Sequence, residues 1–350
     1  MKIFMLIKWL HYSGAPKMFL WVAKSLASRG YDVTIFTYME GSKIELPSNI
    51  THIHYNLEDK GIIGKIKYIR KVIKDIKADI SISFLLDANV YNTFACFGLK
   101  TKSIICERND PFKPGYYKLW LWKPFFRLAD GGVFQLKKVR EYYSNIKLNS
   151  VVIPNPVSVP NISLNNSLFD RKKKITSVGR LDIFQKRQDL LIKAFSIFSK
   201  SHPDYTLNLY GDGPDETKLR KIAEEEGVSK RVIFEGVTNR PLKSISDSQF
   251  FVLSSDFEGI PNSLIEAMSI GLPCIATDCR PGGADFLIEN RVNGILTPQG
   301  DINSLAEAMN YLVSHPNEAD KMGQEAKKIS SDLSEKKIGD KWMQYIESVH

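Results

Sequence analysis

Between residues 250 and 268 the chain reads as strand, turn and helix in quick succession, and that order restricts it to an α/β fold. Phe250-Phe251-Val252-Leu253 is an apolar burst bounded by polar residues, the pattern of a strand buried on both faces of a parallel sheet. From Asn262 onward apolar residues recur at helical spacing. Gly259 and Pro261 turn the chain between the two, so Glu258 leaves the C-terminal end of a strand, where open α/β sheets collect ligand-binding groups. Glu266 falls in the first turns of the helix, whose free N–H groups and dipole favour an anion such as a phosphate. An anion flanked by carboxylates that accept from hydroxyls suggests a sugar nucleotide. Ser263 and Glu266 also stand at the spacing of a capping box, which would occupy Glu266 without any ligand, and a loop carboxylate such as Glu258 is ordinarily only solvated. The stretch alone leaves these readings open.

The same alternation runs through the whole chain. Strands are expected at 2–7, 32–38, 50–55, 79–85, 102–107 and 132–135, with helices at 18–28, 64–77, 88–99 and 116–129. Strands near 175–178, 206–210, 231–235, 249–253, 273–277 and 294–297, each followed by a helix, repeat the arrangement in the second half. At 350 residues the chain is long for one core, and residues 158–174, rich in Ser, Asn, Pro and Lys, mark a boundary. The expected organisation is a Rossmann-like domain over 1–157, a linker over 158–174, a second Rossmann-like domain over 175–328, and a helical segment over 329–350 that crosses back to the first domain.

Composition, 43% hydrophobic with 25% charged residues, is that of a soluble globular chain. Lys8 ends the first apolar run too early for a signal peptide or a membrane span, so a cytoplasmic protein is expected. Cys96, Cys106, Cys274 and Cys279 lack the spacing of a zinc site or a secreted scaffold and are expected as buried, reduced thiols. Charge is uneven: residues 1–160 hold 24 Lys/Arg against 12 Asp/Glu, a net +12 within a whole-chain +9. That asymmetry implies an anionic partner, a membrane surface or a nucleic acid, and no nucleic-acid-reading motif is present. Residues 60–77 place isoleucines at helical spacing with lysines on the other faces, and residues 116–126 are aromatic and basic. Peripheral attachment to the inner face of an anionic membrane is therefore expected, against the alternative that both stretches are ordinary packed helices.

Three features converge on a diphosphate. Gly179-Arg180-Leu181 followed by Gln185-Lys186 puts two cations after a strand; Gly211-Asp212-Gly213-Pro214 makes a tight turn at the same edge; and the 258–266 stretch supplies a helix N-terminus. With Ile153-Pro154-Asn155-Pro156, Phe234-Glu235-Gly236 and Glu258-x7-Glu266, the chain resembles a family-four retaining glycosyltransferase of bacterial surface-polysaccharide biosynthesis. The resemblance implies the GT-B architecture, two Rossmann-like doubly wound domains facing a central cleft.

The resemblance further implies that Arg180 and Lys186 contact the donor diphosphate, that Glu258 contacts the donor sugar region, and that Glu266 binds the ribose hydroxyls. Gly14, Gly211, Gly236, Val237, Gly259, Asn262, Ser263 and Leu264 complete the expected donor contacts, and Glu107, Arg108 and Asn109 are candidates on the acceptor side. Arg180, Lys186 and Glu258 are the expected catalytic residues, with no metal or other cofactor, since two fixed cations stabilise a departing diphosphate. Two departures stand out: Ala15 and Pro16 follow Gly14 where relatives carry paired glycines, and Arg187 stands where a glycine often follows the lysine. Both are expected to bear on acceptor fit. The expected reaction moves a hexose or N-acetylhexosamine from a nucleotide-sugar, UDP-linked by preference, to a lipid-linked or growing glycan. A nucleotide-sugar epimerase of the same fold and a non-catalytic two-domain binding protein are the alternatives.

Overall fold

Strands buried on both faces can pair only within sheets covered on both sides, and the computed structural model contains two such sheets, each wholly parallel. It describes all residues except 12, 13, 42, 43, 109, 113–116, 158–169 and 239. The chain divides into one unit of Met1–Asn155 with Glu335–His350 and another of Pro156–Ser334. The first unit holds β1 (Lys2–Ile7), β2 (Asp32–Thr37), β3 (Ile50–His54), β4 (Ile80–Phe84), β5 (Lys102–Glu107), β6 (Gly131–Phe134) and β7 (Ser150–Val152), in the order β3-β2-β1-β4-β5-β6-β7. The second holds β8 (Lys172–Val178), β9 (Thr206–Tyr210), β10 (Val232–Gly236), β11 (Ser248–Leu253), β12 (Cys274–Thr277) and β13 (Ile295–Thr297), in the order β10-β9-β8-β11-β12-β13. Each is a Rossmann-like doubly wound sheet whose strand order reverses once, between β1 and β4 in the first and between β8 and β11 in the second.

The core of the first unit takes side chains from both ends of the sequence. Phe84 meets Phe19 edge-on at 5.2 Å and Trp342 in a stack at 6.3 Å. Tyr345 Oη accepts a hydrogen bond from Gly132 N at 2.7 Å and donates to Asn149 O at 2.9 Å. The helix Glu335–Val349 is thus part of the first unit's packing. The expected continuous helix over 329–349 is broken into Ile329–Asp332 and Glu335–Val349, because Leu333 O leaves the helical ladder and accepts from Val157 N at 2.8 Å. The expected helix over 116–129 is likewise an α-helix Tyr117–Trp122 followed by a 3₁₀ helix Lys123–Leu128; Pro124, lacking an N–H, stands at the start of the second.

β8 begins at Lys172, three residues inside the stretch expected to be linker. Three consecutive lysines hid the strand. Lys174 is buried, and its Nζ donates to Tyr210 Oη, Ser244 O and Asp247 Oδ1, each at 2.9 Å. Lys172 Nζ reaches the other carboxylate oxygen of Asp247 at 2.8 Å. Burial raises the pKa of Asp247, but the hydrogen bonds from Lys172 and Lys174 outweigh it and hold the carboxyl below its ordinary range. A depressed carboxyl stabilises the fold above its unfolded pKa and loses that contribution as pH falls through the folded value. Asp247→Asn is expected to cost about 1 kcal/mol at neutral pH, allowing for solvent screening of a carboxylate that is 39% exposed. Denaturant titrations should show the difference from wild type shrinking below about pH 3.9.

Candidate functional site

In a parallel sheet, the loops after neighbouring strands that lead to opposite faces part at the point where strand order reverses, leaving a crevice at the C-terminal edge. In the second unit that point lies between β8 and β11, and the loops that follow these strands carry the chemistry. After β8, Gly179 N is bonded to Tyr210 O at 2.9 Å and Leu181 N to Asp212 O at 2.8 Å, which ties the 179–181 loop to the loop after β9. Asp182 then caps the short helix Ile183–Lys186, accepting from Gln185 N at 3.2 Å. The cap turns Lys186 back over the crevice, where its Nζ forms an ion pair with Glu258 Oε1.

Glu258 is buried rather than solvated, with 10% of its side chain exposed against 19% for Lys186. A carboxylate so placed requires partners, and Ser255 Oγ supplies a second, donating to Glu258 Oε1 at 2.9 Å. Three further hydrogen bonds lace the two loops together: Asp256 N to Gln185 O at 2.8 Å, Gln185 Nε2 to Phe257 O at 3.1 Å, and Ser254 Oγ to Lys186 O at 2.8 Å. Arg187 stands in the left-handed region, at φ 51°, which explains why a glycine suits this place. Its guanidinium is held by Asp189 at 3.1 Å and Asp256 at 2.7 Å and takes part in this lacing. The hydrogen bonds it donates to Asp189, and then to Asp256, raise its pKa against burial.

Backbone contacts remove the remaining slack. A Cβ on Gly211 would stand 2.1 Å from Gly179 O, and one on Gly213 would stand 2.2 Å from Leu181 O. A Cβ on Gly283 would stand 1.6 Å from Gly259 O, while Glu258 N bonds Arg280 O at 2.7 Å. The Asp278–Gly283 loop after β12 therefore braces the back of the Glu258 loop. The sequence marks no role for Gln185 and Asp256, whose partners lie far away in the chain, nor for Ser255, whose partner Glu258 is three positions on.

The helix after Glu258 is Asn262–Ser269, and its N-cap is Pro261, which makes no side-chain cap hydrogen bond. Ser263 is already inside the helix, so it is not the N-cap residue a capping box with Glu266 requires. Glu266 is half-buried one turn in. Arg180 is exposed at the start of its loop. Gly236, at φ 71°, closes β10 and its carbonyl accepts from Gly211 N at 2.8 Å; Val237 beyond it is exposed. Arg180, Lys186, Gly211, Gly236, Val237, Glu258, Gly259, Asn262, Ser263, Leu264 and Glu266 all belong to connections leaving the C-terminal edge of this one sheet or to the helix turns that follow. Cys279, buried beside them, is no nucleophile, since burial first and Glu258 second push its thiol up to about 12.

The first unit treats its candidates differently. Gly14 is exposed as the first residue of the helix Gly14–Ala27, at the C-terminal edge of β1. Glu107 and Arg108 are buried instead of forming an open wall. Arg108 lies over the rings of Phe84, at 4.8 Å, and Trp342, at 5.8 Å, and donates to Asn155 Oδ1 at 3.2 Å. Burial lowers its pKa. Asn109 lies outside the described residues.

Residues 160–329 match the family described as "Glycosyl transferases group 1". An uncharacterized glycosyltransferase of Haemophilus influenzae is 27% identical over 94% of this chain and 95% of its own length. A Campylobacter jejuni alpha-1,4-N-acetyl-D-galactosaminyltransferase, named for an undecaprenol-diphosphate-linked substrate, is 25% identical over 100% of this chain and 99% of its own. Among solved structures, Anabaena Alr3699/HepE in complex with UDP superposes with a TM-score of 0.82 at 18% identity, covering 99% of this chain and 100% of that one.

Two substitutions probe this construction. Glu258→Ala leaves the Lys186 ammonium without its buried partner and is expected to destabilise the second unit by about 3 kcal/mol, read as a drop in Tm. Gly283→Ala drives a methyl group into the Gly259 carbonyl, and is expected to displace the Glu258 loop and lower activity while the far edge of the sheet keeps its hydrogen-exchange protection.

Proposed function

From the match of residues 160–329 to the glycosyl transferases group 1 family, we propose that this chain moves a hexose or N-acetylhexosamine from a UDP-sugar to a lipid-linked or growing surface glycan, with retention at the anomeric carbon. The observation that carries this reading is the Lys186–Glu258 pair across the strand-order reversal, with Arg180 and a helix N-terminus on the same edge. In the reaction the bond from the anomeric carbon to the diphosphate oxygen breaks and the oxygen keeps the electron pair. The acceptor hydroxyl oxygen bonds the anomeric carbon and gives up its proton to the departing diphosphate. Arg180 and Lys186 take up the charge gathering on the departing diphosphate, which is where preorganised cations lower the barrier. Glu258 fixes the Lys186 ammonium beforehand and faces the donor sugar, while Glu266 accepts from the ribose hydroxyls.

The backbone of Gly211, Gly236, Val237, Gly259 and residues 262–264 lines the nucleotide. No metal is required in this reading, because the two cations and the helix dipole carry the negative charge. The UDP held by the Anabaena structure and the lipid-linked substrate named for the Campylobacter relative support the choice of base and acceptor class. A sugar nucleotide donor sets the reaction on the cytoplasmic side of the membrane.

The test is a panel of nucleotide-sugars, assayed for nucleoside diphosphate release with and without glycolipid acceptor. Acceptor-dependent UDP release supports the proposal; interconversion of the sugar without release would mark an epimerase, and binding without turnover a carrier. Glu266→Ala is expected to raise KM for the donor, while Arg180→Ala and Lys186→Ala lower kcat by roughly 2.7–4 kcal/mol in barrier terms. Turnover is expected to persist in excess EDTA; its loss, with restoration by Mg²⁺ or Mn²⁺, would overturn the metal-free reading.

A further inference from the structure

Three helical segments lie side by side on one face of the first unit's sheet. Right-handed crossovers from β3 to β4, β4 to β5 and β5 to β6 put Ile62–Ile76, Leu86–Cys96 and Lys123–Leu128 on the same side. Their contacts agree: Arg70 Nη1 donates to Ala95 O at 2.8 Å and to Phe97 O at 2.7 Å, joining the first helix to the second. Phe94 packs on Trp122 at 6.3 Å and on Phe125 at 5.5 Å, joining the second to the third. At usual helix spacings the outer two stand about 20 Å apart.

The outward side of this layer is both apolar and basic. Ile69 and Ile73 are buried against the sheet, whereas Ile63, Lys67, Lys71 and Lys74 recur at steps of four, four and three along the opposite stripe and are all exposed. At the other side of the layer Phe126 is buried, yet Trp120 is 75% exposed and Leu121 53% exposed. Phe97, just past the middle helix, is 60% exposed and is followed by exposed Lys100. Within residues 120–126 the chain thus turns Trp120 and Leu121 outward while burying Phe126.

We propose that this layer docks on an anionic lipid bilayer, with Trp120 and Leu121 entering the headgroup region and Lys67, Lys71 and Lys74 lying on the charged surface. The chemistry of the layer decides for a bilayer over a protein. A protein partner is bound by one compact cluster of anchors around a dry centre, whereas here the apolar side chains are separated by lysines across the width of three helices. Lysines around tryptophan suit a surface that is anionic outside and apolar a few ångströms below. Docking stands apart from the transfer chemistry, because none of these residues belongs to the candidate site.

Co-sedimentation of the full chain with vesicles tests it: phosphatidylcholine alone, and phosphatidylcholine with 30% phosphatidylglycerol, at about 50 mM and 500 mM salt, the latter shrinking the Debye length severalfold. Pelleting is expected with the anionic vesicles at low salt and at least tenfold weaker with neutral vesicles or high salt. Trp120→Ser with Leu121→Ser, and separately Lys67→Glu with Lys71→Glu, should each weaken partition more than tenfold while UDP release on a water-soluble acceptor and the Tm stay at wild-type values. Trp120 fluorescence should shift to the blue on anionic vesicles, by difference from the serine variant. Equal pelleting on both vesicle types, pelleting unchanged in both variants, or concentration-dependent dimerisation lost in the serine variant without vesicle binding would overturn the proposal.

Discussion

The ion pair between Lys186 and Glu258 is the constraint to which the second unit answers. A lysine and a glutamate drawn out of water lose hydration that their mutual attraction replaces only when geometry is held closely. The surrounding chain supplies that hold: a capped helical turn aims the lysine, Ser255 gives the carboxylate another donor, and bonds from Gln185, Asp256 and Ser254 keep the two loops in register. Even the left-handed Arg187 is kept in place by two aspartates. The pair in turn explains why the strand-order reversal is a site and not merely a seam, since it fixes one cation there before any ligand arrives.

Glycine contributes by absence. Where Gly211 meets Gly179, Gly213 meets Leu181 and Gly283 meets Gly259, backbone lies directly on backbone with no room for a methyl group. Loops joined this way move together, so the charged groups on them keep their spacing better than loops of that length would alone. Preorganisation of this kind is what electrostatic stabilisation of a transition state requires.

The fold was legible because parallel strands buried on both faces announce themselves as short apolar runs, and β9 and β11 lie within a residue of where their patterns put them. Boundaries failed where a charged side chain is buried by partners that the local sequence does not show, as with Lys174 at the start of β8. The donor-side residues were readable as a group from strand ends and turns. Their states were not: Glu258 pairs with a lysine 72 positions away, and the capping box proposed for Ser263 depends on a helix start that Pro261 sets two residues earlier. Arg108 misled for the same reason, because the ring that covers it, Trp342, arrives from the far end of the chain.

That last contact has a consequence for how the molecule is made. The second unit is an uninterrupted run, Pro156–Ser334, set between the two parts of the first. During synthesis its residues all leave the ribosome before Trp342 and Tyr345, on which the first unit's core and Gly132 depend. The half that begins first is therefore completed last. Until the helix Glu335–Val349 emerges, Phe84 and Arg108 lack one of their covering rings, and the nascent first unit waits partly open while the second already has every residue it needs.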